Sequence, residues 1–223
     1  MQQVTEQERF TLGTPSLVCR WRLAAGSLPM EGRHLRALGQ RRVNDAQVTT
    51  ELVAWAKQHI EWNLRDGSHD NPDGVLMLIV DGRGRAAMTV GPYEPLKARS
   101  ATALATRARQ ACTEAGETGV APETLWLVCG DVLVWGIDPE SYPAGTDTLV
   151  SDLAATVGLT VARREGLADS VLAGGVEYDE AFLVSDEYGV VPASDVPVER
   201  ADRFRQDYEK LLASADARAS RHI

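Results

Sequence analysis

Two turn-linked pairs of short apolar runs, one in each half of the chain, most constrain what these 223 residues can fold into. Residues 75–80 are a continuous apolar run, Asp81-Gly82-Arg83-Gly84 supplies a tight turn, and residues 85–90 return as a second strand. Residues 124–129 and 132–137 repeat the arrangement around Gly130-Asp131. Further strands are expected at 160–164 and 181–184. Residues 10–28 read as another hairpin, with Leu17, Cys19, Trp21 and Leu23 on one face and Ala24-Ala25-Gly26-Ser27 as its turn.

Between these strands lie segments with helical periodicity. Residues 31–42 carry Leu35 and Leu38 among arginines, and residues 45–64 place Val48, Leu52, Trp55 and Trp62 at helical spacing, with Asn44-Asp45 as the expected N-cap. An alanine-rich helix is expected over 98–115 with Gly116 as its stop, another over 148–157 stopped by Gly158, and an amphipathic one over 201–213. Strands and helices mix without strict βαβ alternation, which predicts an α+β chain in two lobes. The segment Gly91-Pro92-Tyr93-Glu94-Pro95 suits neither a helix interior nor a central strand, so it is the expected linker between lobes at 1–92 and 93–223.

Composition excludes several partners. With 44% hydrophobic and 25% charged residues the chain is globular in character. Twenty-three basic against thirty-two acidic residues give a formal charge of −9, which repels phosphate backbones and anionic membrane surfaces. The N-terminal MQQVTEQERF has no apolar stretch, and no segment approaches the length of a membrane span, so a cytoplasmic location is expected. Cys19, Cys112 and Cys129 are odd in number and far apart, indicating neither disulfide nor zinc; they are expected as buried small hydrophobes. The four histidines lack ligand spacing, and the tryptophans at 55, 62, 126 and 135 are expected in the core.

Three stretches, in order, resemble the class IV aminotransferases, the fold-type IV pyridoxal-phosphate enzymes that include branched-chain and D-amino-acid aminotransferases and aminodeoxychorismate lyase. The first is Arg20-Trp-Arg-Leu-Ala-Ala-Gly-Ser-Leu-Pro-Met-Glu-Gly-Arg-His-Leu-Arg-Ala-Leu38, similar to the family's strand, turn and His-Leu-x-Arg-Leu helix. The second is Pro143-Ala-Gly-Thr-Asp-Thr-Leu-Val-Ser-Asp-Leu-Ala-Ala-Thr-Val-Gly-Leu159, similar to Pro-Gly-Ile-Thr-Arg and its helix. The third is Asp179-Glu-Ala-Phe-Leu-Val-Ser-Asp-Glu-Tyr-Gly-Val-Val-Pro192, similar to the Asp-Glu-Val-Phe-Leu-Thr-Ser strand and its closing Val-x-Pro.

The resemblance implies a two-lobed α+β fold with an N-terminal α/β sandwich lobe and a C-terminal mixed, barrel-like lobe. It also implies a homodimer that uses pyridoxal 5'-phosphate for transamination or lyase chemistry on a small amino compound. Such chemistry needs an amine for a Schiff base, a cradle for the phosphate and a carboxylate for the pyridine nitrogen. Lys97 stands where the family has its Schiff-base lysine, just before a helix. Gly145 and Thr146, at a helix N-terminus, with Arg36 would hold the phosphate, and Glu117 or Glu123 would face the ring nitrogen.

The pattern also departs from the family. Arg36 is shifted one place, which turns it about 100° around the helix, with Arg33 or Arg41 as substitutes. Asp147 stands where arginine is usual, and the Glu-Gly-x-x-x-Asn-Leu-Phe segment is absent, its end resembled only by Thr124-Leu125-Trp126. These departures leave open a second reading, a homologue that has lost the cofactor and acts as a binding or structural protein.

Overall fold

The computed structural model describes residues 11–119 and 123–219, so the N-terminal stretch read above lies outside the described residues. Leu17, Cys19, Trp21 and Leu23 do share a buried face, yet only one strand is present there, β1 (Pro15–Arg22). Ala24 and Ser27 close the expected turn, after which the chain enters α1 (Glu31–Gly39) directly. The expected hairpin is therefore corrected to a lone strand, whose partner arrives much later in the chain. Short strands β2 (Arg42–Val43) and β3 (Ala46–Gln47) pair around Asn44 and Asp45, which have φ of 49° and 62°. Asn and Asp tolerate the left-handed region that a tight hairpin turn demands, so this pair turns a hairpin instead of capping a helix. The helix α2 (Thr50–Gly67) starts after it, with Thr49 Oγ1 accepting from the Leu52 amide at 3.2 Å.

β4 (Val75–Asp81) and β5 (Ala86–Gly91) form the expected hairpin. Its turn is tied by buried Asp81, which accepts from the amides of Gly13, Arg83 and Arg85. β1 pairs antiparallel with β4 to give a sheet of order β1-β4-β5. Leu38 of α1 and Ala56 and Ile60 of α2 cover the face that carries Leu17, Trp21, Leu76 and Leu78.

Beyond residues without regular structure comes α3 (Ala101–Thr118), begun by Ser100 Oγ accepting from the Ala103 amide. It passes through Gly116 and ends at Gly119, whose φ of 65° makes the left-handed cap expected three residues earlier. Then follow β6 (Thr124–Cys129), β7 (Val132–Trp135), α4 (Gly145–Thr156), β8 (Thr160–Arg163), α5 (Leu167–Leu172), β9 (Glu180–Ser185), β10 (Gly189–Pro192) and α6 (Glu199–Ala219). The sheet order is β10-β9-β6-β7-β8, antiparallel except for β7 with β8.

Alternation along the strands builds two cores from this one sheet. Trp126, Val128, Phe182 and Val184 face α4 and α6, while Leu125, Leu127, Ala181 and Leu183 face α3 and α5. Trp126 stacks on Trp135 at 4.6 Å. The expected burial of the tryptophans is corrected at Trp62, which is 47% exposed. That of the cysteines holds for Cys19 alone, since Cys112 is exposed and Cys129 half-buried. The halves meet where α1 packs on α4 and α3 on β1, and where the Arg22 amide donates to the Asp186 carbonyl at 2.9 Å. Among the described residues no helix is long and apolar enough to cross a membrane.

Candidate functional site

The N-terminus of α4 is the chemically most distinctive place in the molecule, because a helix start presents amides with no partner of their own. Ala144 precedes it and offers no side-chain oxygen. Gly145, Thr146 and Asp147 are all buried, so their donors need acceptors from the protein. Asp186, in the turn between β9 and β10, supplies those of Gly145 and Thr146. Its Oδ1 accepts from the Thr146 amide at 2.8 Å and from Thr146 Oγ1 at 2.8 Å, and its Oδ2 accepts from the Gly145 amide at 3.3 Å. The buried ring of His34, from α1, lies with Nδ1 3.4 Å from the same Oδ2. Burial alone would raise the Asp186 carboxyl; the His34 ring and the bonds from Thr146 outweigh it and hold the group at about 2.

A second buried carboxylate sits within the same helical turn. Asp147 Oδ1 accepts from Thr124 Oγ1 at 2.5 Å and from Trp126 Nε1 at 3.2 Å, while Oδ2 takes the Ala144 amide at 3.4 Å. Burial, to which the Asp186 charge adds, pushes this carboxyl up to about 7 against the lowering effect of those bonds. The two acids thus divide the roles, one ionised and one carrying a proton near neutrality.

Further charged contacts surround this pair, some between the halves and some within the second. Arg20 lies 3.6 Å from Glu187, and Arg107 grips Glu123 with Nε–Oε2 at 2.8 Å and Nη2–Oε1 at 2.6 Å. The Arg22 guanidinium stands 3.4 Å above the Tyr93 ring. A cavity of about 30 Å³, bordered by Arg20, His34, Arg41, Glu123, Asp186 and Glu187, is what remains open beside Asp186. That is about the liquid volume of one water. Arg20 Nε, His34 Nδ1 and Arg41 Nη2 are buried at its edge without hydrogen-bond partners, which suits a bridging water.

The residues singled out in the sequence divide into those this site gathers and those it does not. Gly145, Thr146 and Glu123 border it. Arg36 lies on the exposed side of α1, in a groove shared with α2; the shifted register puts His34, not arginine, against Gly145. Arg33 is bound to Thr148 Oγ1 and Asp152 on α4, and Arg41 Nη1 donates to the Tyr142 carbonyl. Glu117 is exposed at the end of α3 and lines a cleft with Arg42 and Asp138. Lys97 is exposed and lines a further cleft with Tyr93, Tyr188 and Arg205 of α6. As placed, these residues do not fit pyridoxal phosphate: the amides that would take its phosphate are held by Asp186, and Lys97 opens elsewhere.

Sequence reasoning missed Asp186, His34 and Arg107. One signal pointed to the first: a helix start without arginine, carrying Asp147 where a cation is usual, needs some internal anion or cation to settle it. The turn Ser185-Asp186-Glu187-Tyr188 offers the carboxylate.

The sheet order and the helices that cover it define a fold: that of the fold-type IV transaminases and 4-amino-4-deoxychorismate lyases. No family model and no curated protein matches the sequence. Among solved structures, a hypothetical aminotransferase from Mycobacterium tuberculosis bound to α-ketoglutarate and PMP superposes with a TM-score of 0.62 at 15% identity, over 94% of this chain and 96% of that one. A fold IV transaminase from Curtobacterium pusillum gives 0.59 at 15% identity, covering 96% and 91%. The 4-amino-4-deoxychorismate lyase from Pseudomonas aeruginosa gives 0.54 at 18%, covering 91% and 92%. At such identities the likeness speaks for the fold, and the chemistry rests on the residues.

Proposed function

We propose that this chain keeps the fold of the class IV aminotransferases but acts without pyridoxal phosphate, as a binding protein rather than a transaminase or lyase. The observation that carries this reading is the Asp186 carboxylate on the Gly145 and Thr146 amides. One carboxylate satisfies the donors a phosphate dianion would use, and two anions do not share a helix start without strong repulsion. The aminotransferases and the lyase of the same fold bring the competing reading, transamination or lyase chemistry on a small amino compound with Lys97 as the Schiff base. It would require the turn carrying Asp186 to swing out of α4 and Lys97 to turn inward.

The two readings separate on addition of pyridoxal phosphate followed by borohydride reduction and mass analysis. The purified chain is expected to show no stoichiometric band in the near-ultraviolet or visible and no reduced adduct on Lys97. A stoichiometric adduct that disappears in Lys97→Ala would overturn the proposal. Asp186→Ala gives a second arm. Removing the acceptor from buried donors costs about 2–4 kcal/mol of stability, and inorganic phosphate is expected to restore part of it in the variant and none in the parent.

A further inference from the structure

A separate groove lies between α1, α2 and the start of α4, with a volume of about 780 Å³. That is within the range of small-molecule sites. Its wall is apolar where Leu35, Ala37, Val53, Ala54 and Pro143 face it. Three cations stand around it: Arg33, Arg36 and Lys57. They differ in how they are engaged. Arg33 is fixed by Thr148 at 3.0 Å and Asp152 at 2.8 Å, so its charge is already met by a carboxylate. Arg36 and Lys57 are exposed and have no carboxylate partner among the described residues. They rise from α1 and α2, the helices that form two sides of the groove.

We infer that this groove binds a small amphipathic carboxylate, an apolar body bearing a single acid group, with the body on the Val53, Ala54 and Pro143 wall and the acid between Arg36 and Lys57. Charge complementarity carries the choice of occupant. The whole chain has a formal charge of −9, and two free cations beside an apolar wall run against that balance. A neutral apolar ligand would leave both cations unmet, and a polyanion would leave the wall uncovered. The site makes no use of Asp186 or Lys97, and it rests on the placement of Arg36 in this groove and away from the start of α4.

Calorimetric titration of the full chain with phenylbutyrate, and with phenylbutanol as its uncharged counterpart, tests the inference. Phenylbutyrate is expected to bind saturably at one site, with phenylbutanol weaker by about 10-fold. Arg36→Gln and Lys57→Gln should each weaken the acid by about 3- to 5-fold, as exposed charge contacts do, and leave the alcohol unchanged. Ala54→Trp, an exposed position whose larger side chain would fill the groove, should abolish binding while the circular dichroism spectrum and melting temperature stay near those of the parent. Equal binding of acid and alcohol, acid binding untouched by Ala54→Trp, or no saturable binding would each overturn the inference. So would sedimentation showing that a second copy covers this face, as a dimer lost in Ala54→Glu.

Discussion

Asp147 is the residue whose chemistry reaches furthest into the stability of the molecule. Its carboxyl moves from 3.8 to about 7 on folding, chiefly because it is buried, with Asp186 beside it. Between those values the folded chain holds a proton that the unfolded chain has released, so raising the pH favours unfolding. The contribution is present in full below about 3.8, fades as pH rises and is gone above about 7, with a slope of at most about 1.4 kcal/mol per pH unit. Asp186 acts in the opposite sense: its stabilisation is full above 3.8 and is lost as pH falls toward about 2. The two windows barely overlap. Urea midpoints measured from about pH 5 to pH 8 should therefore fall for the parent and fall less for Asp147→Asn, which has no proton to lose there. An unchanged slope in that variant would refute the assignment of the proton to Asp147.

At the scale of elements, one of the tightest fits among the described residues is where β10 meets α6. Gly189 opens β10 with φ of 70°, and a Cβ built on it would lie 2.2 Å from the Tyr208 ring. Gly189→Ala therefore combines left-handed strain of about 1–2 kcal/mol with displacement of a buried ring, a combination expected to cost about 3 kcal/mol or more in total. A melting temperature within experimental scatter of the parent would show that α6 shifts freely. This junction also marks the limit of what was legible in the sequence. The β4–β5 and β6–β7 hairpins could be read because Asp81-Gly82-Arg83-Gly84 and Gly130-Asp131 encode them locally. β10, with four residues, and α5, with six, are too short for periodicity to declare them. β1 reads locally as half of a hairpin because its partner β4 lies far along the chain, and Asn44-Asp45 suits a helix cap and a tight turn equally well. The helix start at Gly145 and Thr146 was legible from the resemblance. Its acceptor was not, because Asp186 lies 40 residues from Thr146 and nothing local marks it.

For the whole molecule, the question is whether the two lobes behave as separate bodies joined at residues 91–95 or as one. Three kinds of contact join them without passing through that segment. α1 packs on α4, and α3 on β1; Gly119, at the end of α3, comes so close to β1 that a Cβ would meet the Ser16 carbonyl at 2.3 Å. His34 and Arg20, from the first half, face Asp186 and Glu187 from the second. Arg22 gives its amide to the Asp186 carbonyl. Much of this seam is buried, and each half alone would expose charged groups that are now paired and apolar surface that is now covered. A chain carrying a protease site after Glu94 should therefore remain a single species on gel filtration once cut, and should come apart only through the same urea transition that unfolds it. Halves that separate in native buffer, each retaining its circular dichroism, would mean that the seam is a contact of convenience and that the Asp186 cluster is held together by the second lobe alone.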